Sequence, residues 1–227
     1  MKILTLNDKT VRQLRANHPI LKGKKLLASG QFSGVFECSE TTVLKLSIDE
    51  QSYNFLKALD ESNQKHFPKL MTDYGEVGRF VTSRNIKVTA ISKPIQYDVP
   101  LYLYEVEKLQ KIPASTENRK IITRISKDWR ALDNGLFCES RQERALKIAN
   151  ALRENVELLK FNPTIMNAVD TLAAFVHQNE GAFADLHGMN FMQRDDGTLV
   201  FSDPIGDLRI YKGHYALRSP MKEQQTA

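Results

Sequence analysis

The dipeptide Asp196-Gly197 constrains the local fold of this chain more than any other short feature of the sequence. It stands between two runs of mixed apolar and polar residues, which is the pattern of a β-hairpin with a two-residue turn. A type I′ turn of this kind needs positive φ at both central residues, and it pairs Asp195 with Thr198. The sequence therefore predicts a tight hairpin centred on this dipeptide.

Oxygen-bearing side chains gather at the open end of the predicted hairpin. Its register pairs Met192 with Phe201, an apolar pair that can seat the hairpin on a core. It also places Asn190 opposite Asp203, and a further carboxylate, Asp185, lies five residues before Asn190. An amide oxygen and a carboxylate, with substrate phosphate completing the shell, are a usual way to hold Mg²⁺. A surface hairpin with ordinary polar residues at its strand ends is the alternative.

A loop of small residues lies among predicted strands near the N-terminus. Apolar patterning predicts strands at about residues 25–30, 33–38 and 41–47. Glycine lets a backbone approach phosphate oxygens, so a strand–loop–strand cover can close over a nucleotide. The loop consists of Ser29, Gly30, Gln31, Phe32, Ser33 and Gly34.

Lys45 lies inside the apolar strand of residues 43–46. A buried lysine is costly unless its ammonium group meets an anion. The alternative is an edge-strand lysine whose apolar stem lets the ammonium reach water. The position therefore predicts either an anion-binding lysine or a surface one.

These two parts of the sequence together resemble the protein-kinase superfamily. Residues 28–36 are similar to its glycine-rich loop, with Gly30 at the central glycine and Val35 at the valine over adenine. The two outer glycines of that loop are replaced in this chain. Residues 43–45 are similar to the strand whose lysine grips the α- and β-phosphates.

The C-terminal stretch carries the rest of the resemblance. Residues 185–190 are similar to the catalytic loop Asp-x-x-x-x-Asn, and Asp203 stands where the Asp of Asp-Phe-Gly is expected. The His-Arg before the catalytic Asp is Phe183-Ala184 here, and the usual lysine after it is His187, as in aminoglycoside- and choline-type phosphotransferases. Only 24 residues follow Asp203. In these departures the chain resembles the short early serine/threonine protein kinases of lytic tailed bacteriophages.

The resemblance implies an α+β, two-lobed protein-kinase-like fold in a single domain of residues 1–227. The N-lobe, at about residues 21–105, would hold a small antiparallel sheet. The C-lobe, at about residues 107–227, would be reduced and mainly helical. Helices are predicted from the residue pattern at 8–17, from Asp49-Glu50 onward, and within 116–180. Two helix starts within the last range are predicted at a capping box, Ser140 with Glu143, and at Asn162 with Pro163.

The resemblance also implies phosphoryl transfer by positioning and charge neutralisation. Lys45 would orient the α- and β-phosphates of ATP, and Asp185 would align the acceptor hydroxyl and take its proton. Asn190 and Asp203 would hold Mg²⁺. His187 would neutralise the transferring γ-phosphate, with a structural hydrogen bond inside the loop as the alternative.

Further ATP contacts are implied on the helix after the lysine strand and on a later strand. Glu50 would pair with Lys45, although a first-turn acid favoured by the helix dipole explains Glu50 equally well. Residues 100–109 alternate as a strand that runs into a linker. By the resemblance, backbone groups at about Glu105 to Glu107 would meet adenine, and Tyr104 would line the back of the pocket. The predicted ATP contacts are Ser29, Gly30, Gln31, Phe32, Ser33, Gly34, Val35, Lys45, Glu50, Glu105, Val106 and Glu107.

The function implied is ATP-dependent phosphorylation of Ser or Thr hydroxyls in host proteins, by a phage-encoded kinase in the cytoplasm of an infected bacterium. Residues 211–227 are polar and have too few apolar side chains to enclose a small acceptor, which favours a protein substrate on an open face. A small-molecule phosphotransferase of the aminoglycoside or choline type, motivated by His187, is the first alternative. A catalytically inactive binding module is the second.

Composition agrees with a soluble globular protein but does not decide the function. The 227 residues carry a net charge of +5, which suits a nucleotide but lacks the basic stripe of a nucleic-acid binder. Cys38 and Cys138 have no disulfide or metal-ligand spacing, which predicts a reducing cytosol. No run of 18 apolar residues occurs, so no membrane partner is predicted. The oligomeric state, the target proteins and the role of residues 111–160 stay open.

Overall fold

The structure, a computed structural model, describes residues 4–60, 64–87, 92–133, 150 and 162–211. These residues form a mixed α+β arrangement, which confirms the predicted class. The helices are α1 (Lys9–Asn17), α2 (Glu50–Ala58), α3 (Glu117–Asp133), α4 (Pro163–Gln178) and α5 (Leu208–Tyr211), with short 3-10 turns at Gln64–His66 and Gly188–Asn190. The strands are β1 (Leu26–Ser29), β2 (Ser33–Glu37), β3 (Thr42–Ser47), β4 (Leu70–Lys87), β5 (Ser92–Glu107), β6 (Ala182–Ala184), β7 (Phe191–Gln193), β8 (Leu199–Phe201) and β9 (Ile205–Asp207). Within these ranges no helix is long and apolar enough to cross a membrane.

The largest sheet has five antiparallel strands in the order β1-β2-β3-β5-β4. Strands β1 to β3 and helices α1 and α2 lie where the sequence predicted them. The β4–β5 hairpin is much longer than the strand pattern at residues 100–109 indicated. Register shifts near Gly75, which has φ +72°, interrupt the period-2 pattern of β4. Such bulges hide a long strand from periodicity arguments.

The described residues divide by their contacts into two compact units, and each unit uses separate stretches of the chain. Unit 1 comprises residues 1–53, 70–108 and 207–227. Its core contains alternate residues of the sheet strands, including Leu44 and Leu46 of β3 and Leu103 of β5, all fully buried. Alternation of this kind is expected where one face of a sheet is covered. Burying each such side chain stabilises the unit by about 1.5–3 kcal/mol.

Unit 2 comprises residues 54–69 and 109–206 and has an aromatic core. Phe55 meets Phe67 edge to face, with ring centroids 4.9 Å apart. Phe67 in turn lies 5.8 Å from Phe201 of β8. Each aromatic pair of this geometry contributes about 0.5–1.5 kcal/mol beyond its buried area. The aromatic cluster therefore anchors the strand that carries the residues just before Asp203.

Helix α4 of unit 2 starts where the sequence predicted. Asn162 caps it by accepting a hydrogen bond from the Thr164 N–H, and Pro163 occupies the first helical position, where no N–H is needed. The helix ends at Gln178 and leads into β6. The predicted capping box at Ser140 and Glu143 lies outside the described residues.

Candidate active site

The predicted hairpin forms, but its register differs by one residue. Strands β7 and β8 pair Phe191 with Phe201 and Met192 with Val200. The predicted pairing of Met192 with Phe201 is therefore wrong. The observed register brings the Phe191 and Phe201 rings together, with centroids 4.9 Å apart.

The reason is a loop of three residues instead of two. The Arg194 N–H donates to the Thr198 carbonyl and the Gly197 N–H to the Arg194 carbonyl, both at 3.0 Å, so the predicted pairing of Asp195 with Thr198 is wrong. Gly197 has φ +81°, whereas no residue other than glycine has positive φ in the described part of the chain. Asp196 therefore does not adopt type I′ geometry. Its Oδ1 instead accepts the Thr198 N–H (2.8 Å), which suits a three-residue loop closed by a left-handed glycine.

This register also moves the polar residues at the open end of the hairpin. Asn190 lies opposite Ser202, whose N–H donates to the Asn190 carbonyl at 2.8 Å. The predicted direct opposition of Asn190 and Asp203 is therefore wrong. Asp203 nevertheless lies close enough for its negative charge to act on Asp185. The two candidate metal ligands thus stay in the same part of unit 2, offset along the hairpin.

Residues 185–190, called here the 185–190 loop, connect β6 to β7. The Asp185 N–H donates to the Pro204 carbonyl (2.7 Å), just before β9. At the other end of the loop, Asn190 Nδ2 donates to the Asp185 carbonyl (2.9 Å). Because the amide nitrogen donates in this way, Asn190 Oδ1 is the atom of this side chain that can bind a cation or accept a hydrogen bond.

His187 bridges the two ends of this loop. Its Nδ1 accepts the Met189 N–H at 3.3 Å, a hydrogen bond inside the loop of the kind that the alternative interpretation of this residue describes. A neutral ring therefore carries its hydrogen on Nε2. That nitrogen lies 3.6 Å from Asp185 Oδ2. The imidazole thus presents a donor beside the candidate base.

The Asp185 carboxyl has an unusual electrostatic environment. Burial raises its pKa above the ordinary aspartate value, and the negative charge of Asp203 raises it further. His187 and the Asn190 amide act in the opposite direction. The side chain is still 28% exposed. A carboxylate with a raised pKa accepts a proton at neutral pH more readily than an ordinary aspartate does.

Helix α3 supports both the 185–190 loop and the hairpin loop. Ser126 Oγ donates to the Leu186 carbonyl at 3.0 Å, and both residues are buried. Two turns earlier on the helix, Asn118 Nδ2 donates to the Gly197 carbonyl at 2.8 Å. The candidate base and the turn are therefore fixed to the same rigid element.

A buried histidine attaches the second strand of the hairpin to other elements of unit 2. His66 Nδ1 lies 2.7 Å from the Leu199 carbonyl, and its Nε2 lies 2.6 Å from Thr164 Oγ1. A carbonyl can only accept, so Nδ1 carries a hydrogen. Burial lowers the pKa of His66, which favours the neutral ring. The residue links β8 to the start of α4.

In unit 1, Lys45 occupies the middle of β3, between Val35 of β2 and Tyr104 of β5. The residue is only 9% exposed. Such burial disfavours the interpretation of Lys45 as a surface lysine. It suits an ammonium group whose charge is balanced by anions.

The small-residue loop of unit 1 is a tight connection from β1 to β2. The Gly30 N–H donates to the Ser33 carbonyl at 2.9 Å, across the turn. The Phe32 carbonyl accepts the Ile48 N–H at 3.1 Å, and the Phe32 side chain packs against the core of the unit. The aromatic residue therefore holds the loop to the sheet. Gln31 forms the tip, and Gly34 and Val35 follow in β2.

The segment expected to face adenine is the end of β5. Glu105 and Val106 are paired on both sides, with β3 and with β4, whereas Glu107 pairs with Thr42 of β3. The Glu105 side chain accepts hydrogen bonds from the Thr42 hydroxyl and from Cys38 Sγ, 3.3 Å away. These bonds, that of Thr42 foremost, hold the pKa of the Glu105 carboxyl below its ordinary value.

Glu50 is the first residue of α2, as the helix-dipole interpretation requires. Its Oε2 accepts from Arg209 Nη2 at 2.7 Å, and its Oε1 accepts from the Tyr102 hydroxyl at 3.2 Å. Burial first, and the Glu50 charge next, raise the pKa of Tyr102. Arg209 also forms a bidentate ion pair with Asp207, which is fully buried.

The candidate metal ligands form a small donor set. No group of three or more His, Cys, Asp or Glu side chains is arranged for a metal ion within the described ranges. Near Asp185, Asn190 Oδ1 and the Asp203 carboxylate are oxygen donors of the kind that bind Mg²⁺. This set fits Mg²⁺, which keeps several waters and is commonly held by one or two carboxylates together with substrate phosphates.

The structure therefore brings together Asp185, His187 and Asn190, with Asp203 nearby, in unit 2. The predicted nucleotide contacts from the glycine loop, β3, α2 and β5 belong to unit 1. The sequence analysis did not predict a role for Ser126. The local signal for it is that a small polar residue occupies the buried face of α3, one turn after Ile122.

Arg209 was also missed. The Arg209 N–H donates to Asp207 Oδ1 at 2.8 Å, which is a local pattern that a reader of the sequence can recognise. Its pairing with Glu50, 159 residues earlier, has no local signal.

Comparison of the sequence with protein-family models gives no match. Comparison with curated proteins gives no match either.

Proposed function

We propose that this chain is an ATP-dependent phosphotransferase with a two-lobed, protein-kinase-like arrangement. The proposed nucleotide contacts belong to unit 1, and the proposed acceptor-side residues belong to unit 2. One observation carries the proposal: Asp185 is partly exposed, has a raised pKa and lies 3.6 Å from His187, in a loop that also holds Asn190. The order of glycine loop, strand lysine, catalytic loop and metal-binding aspartate along the chain supports it.

Asp185 would act as the base in this reaction. It would accept the proton of the acceptor hydroxyl as that oxygen bonds to the γ-phosphorus and the bond to ADP breaks. Lys45 would orient the α- and β-phosphates from unit 1. When bound, Mg²⁺ neutralises charge on the phosphates, and Asn190 Oδ1 and Asp203 would hold it. Partial burial strengthens these electrostatic effects.

His187 would assist through its Nε2 hydrogen. Its Nδ1 is occupied by the Met189 N–H, so the remaining ring nitrogen is the one that can donate to a phosphate oxygen or to Asp185. This feature also favours a second candidate, a small-molecule phosphotransferase, because His187 is the residue that motivated that alternative.

Proteins are the proposed acceptors, at Ser or Thr hydroxyls. Met189, inside the 185–190 loop, is 85% exposed and the most exposed large apolar residue among those described. An apolar side chain displayed beside a partly exposed base suits contact with another polypeptide. By the resemblance described above, the acceptors would be bacterial proteins in the cytoplasm of an infected cell.

The test is transfer of labelled phosphate from ATP to proteins of a bacterial lysate, followed by separation of proteins from small molecules. We expect the label on polypeptides. Asp185→Asn should keep ATP binding and lose transfer by about 10²- to 10⁴-fold, because the base is removed and the shape retained. The matched control is Asp195→Asn, an exposed aspartate in the same hairpin.

Two further variants test the binding roles. Asp203→Ala should abolish the magnesium-dependent part of ATP affinity, and Lys45→Met should fold but transfer poorly. Near-wild-type transfer by Asp185→Asn would exclude Asp185 as the base. Label on an aminoglycoside or a choline-like alcohol, with none on polypeptides, would replace the protein-kinase proposal by the small-molecule one.

A further inference from the structure

Three successive carbonyl groups of the 185–190 loop accept hydrogen bonds. Those of Asp185 and His187 accept from the Asn190 side chain and N–H, each at 2.9 Å. The Leu186 carbonyl, between them, accepts from Ser126 Oγ at 3.0 Å. The bond at the middle of the loop therefore comes from another element, helix α3, which lies 60 residues earlier in the chain.

Ser126 uses its hydroxyl differently from two other hydroxyl residues in helices of unit 2. Thr123, on the same helix, donates to the Arg119 carbonyl, and Thr171 on α4 donates to the Asn167 carbonyl, both at 2.8 Å. Bonding to the carbonyl four residues earlier is common for a hydroxyl inside a helix. The Ser126 hydroxyl instead points out of its helix and bonds to the loop.

The helix also packs closely against the loop at this point. A methyl group added at Gly188 would lie 3.7 Å from Ile122 Cγ2 and 3.8 Å from Ser126 Oγ. Such distances are ordinary van der Waals contacts, so the loop backbone already lies against α3. A buried carbonyl here depends on a protein donor, because little water reaches it.

We infer that Ser126 is a positioning residue for the proposed phosphoryl transfer. By holding the Leu186 carbonyl it fixes the peptide group that joins Leu186 to His187, next to Asp185, and so restricts the direction of the Asp185 carboxylate. This inference rests on the proposed function. Proton transfer and in-line attack need the base within hydrogen-bond reach of the acceptor, and a displacement of about 1 Å costs roughly 100-fold in rate.

The test compares four proteins: wild type, Ser126→Ala, Ser126→Thr and the control Thr123→Ala. Thr123 is an exposed residue on the same helix, and its hydroxyl bonds only within that helix. For phosphorylation of lysate proteins we expect Ser126→Ala to lower kcat by about 10- to 100-fold, with the KM for ATP within about twofold of wild type because no nucleotide contact is changed. Ser126→Thr, which keeps a hydroxyl, should recover most of kcat, and Thr123→Ala should match wild type.

Amide hydrogen exchange provides a measurement that does not depend on activity. The N–H groups of Met189 and Asn190 both bond to His187, so Ser126→Ala should speed their exchange while core amides of α4 keep wild-type rates. If the wild type is active and kcat is unchanged in Ser126→Ala, the inference is wrong, whether or not these exchange rates respond. If exchange responds but the wild type transfers no phosphate, the contact is structural and the proposed function fails instead.

Discussion

At the scale of single residues, Asp185 combines the proposed chemistry with a cost in stability. Burial and the Asp203 charge both favour its protonated form. The folded protein therefore holds a proton on Asp185 at pH values where the unfolded chain has released it. Catalytic residues often carry such a penalty, because the environment that tunes a pKa also opposes the charged state.

A change of Asp185 to asparagine should therefore increase stability at neutral pH. The raised pKa makes the free energy of unfolding of the wild type fall as pH rises from about 4, the ordinary aspartate value, to the raised value. Asparagine does not ionise, so Asp185→Asn lacks this loss. Urea unfolding at a series of pH values should show the variant more stable than wild type at pH 7, with the difference shrinking as the pH falls from the raised pKa toward about 4 and changing no further below that.

Asp195→Asn, a change at an exposed residue, is the control for that experiment. It changes a carboxyl to an amide in the same hairpin without touching the buried loop. If Asp185→Asn were less stable than wild type at pH 7, the ionised carboxylate would be stabilised by its surroundings, and the raised pKa would not describe the protein.

At the scale of elements, the hairpin loop shows how one glycine determines a register. In the predicted type I′ turn both Asp196 and Gly197 would have positive φ. In the observed loop only Gly197 does, at +81°. Because side chains alternate along a strand, the extra loop residue changes which residues face each other across the hairpin.

Substitutions at the two loop positions distinguish these turns. Gly197→Ala should lower the free energy of unfolding by about 1–2 kcal/mol, because alanine is strained at positive φ. Asp196→Gly should lower Tm, since it removes the Asp196 Oδ1 bond to the Thr198 N–H and adds backbone freedom. In a type I′ turn Asp196→Gly would raise Tm instead. Thermal unfolding of Asp196→Gly therefore tests the observed loop directly, and Gly197→Ala is the reference variant, which either turn should destabilise.

Local signals in the sequence explain why most elements of unit 1 could be predicted. The strands around the small-residue loop have clear apolar alternation, and α2 begins at an acidic first turn. Asn162-Pro163 is a similarly local signal for α4. The long β4–β5 hairpin was not predictable in full, because its bulges break the alternation on which strand assignment depends.

The candidate site was predictable only in part, because only contacts between residues close in the sequence leave a local signal. Asp185, His187 and Asn190 lie within six residues, so their proximity follows from the sequence itself. The exact facing of Asn190 and Asp203 depended on turn geometry and was wrong. Ser126 reaches the loop from 60 residues away, and no short-range pattern reports such a contact.

At the scale of the whole molecule, residues 207–211 belong by their contacts to unit 1. Ile210 is fully buried in the core of that unit. The Arg209 side chain is 14% exposed. It lies between two carboxylates, those of Glu50 and the fully buried Asp207. These contacts tie the segment that follows the candidate metal ligand to the start of α2.

Removing the arginine alone should be much more damaging than removing the ion pair. Arg209→Met leaves the Asp207 charge buried and should lower the free energy of unfolding by about 3–5 kcal/mol. The double variant Asp207→Asn with Arg209→Met should recover much of that loss, because the amide is neutral and can still accept the backbone N–H of residue 209. Urea unfolding of the single and double variants measures the difference.

Arg79→Met is the matched control for this cycle. Arg79 also lies 2.7 Å from a carboxylate, that of Asp98, but both side chains are at least half exposed. Water screens such a surface pair, so its loss should change stability little. Equal effects of Arg209→Met and Arg79→Met would show that the Asp207 charge is not buried in solution.

The ion pair between Glu50 and Arg209 also orders the events of folding in time. The two residues are 159 positions apart, whereas the β4–β5 hairpin joins neighbouring stretches and can form in about 1–10 μs. At a synthesis rate of about 5–20 residues per second, Arg209 leaves the ribosome roughly 8 to 30 s after Glu50. During that interval the nascent chain can complete this hairpin, although Glu50 cannot yet pair with Arg209. A chain whose synthesis stops before residue 207 would therefore contain most of the sheet but lack the ion pair between Glu50 and Arg209.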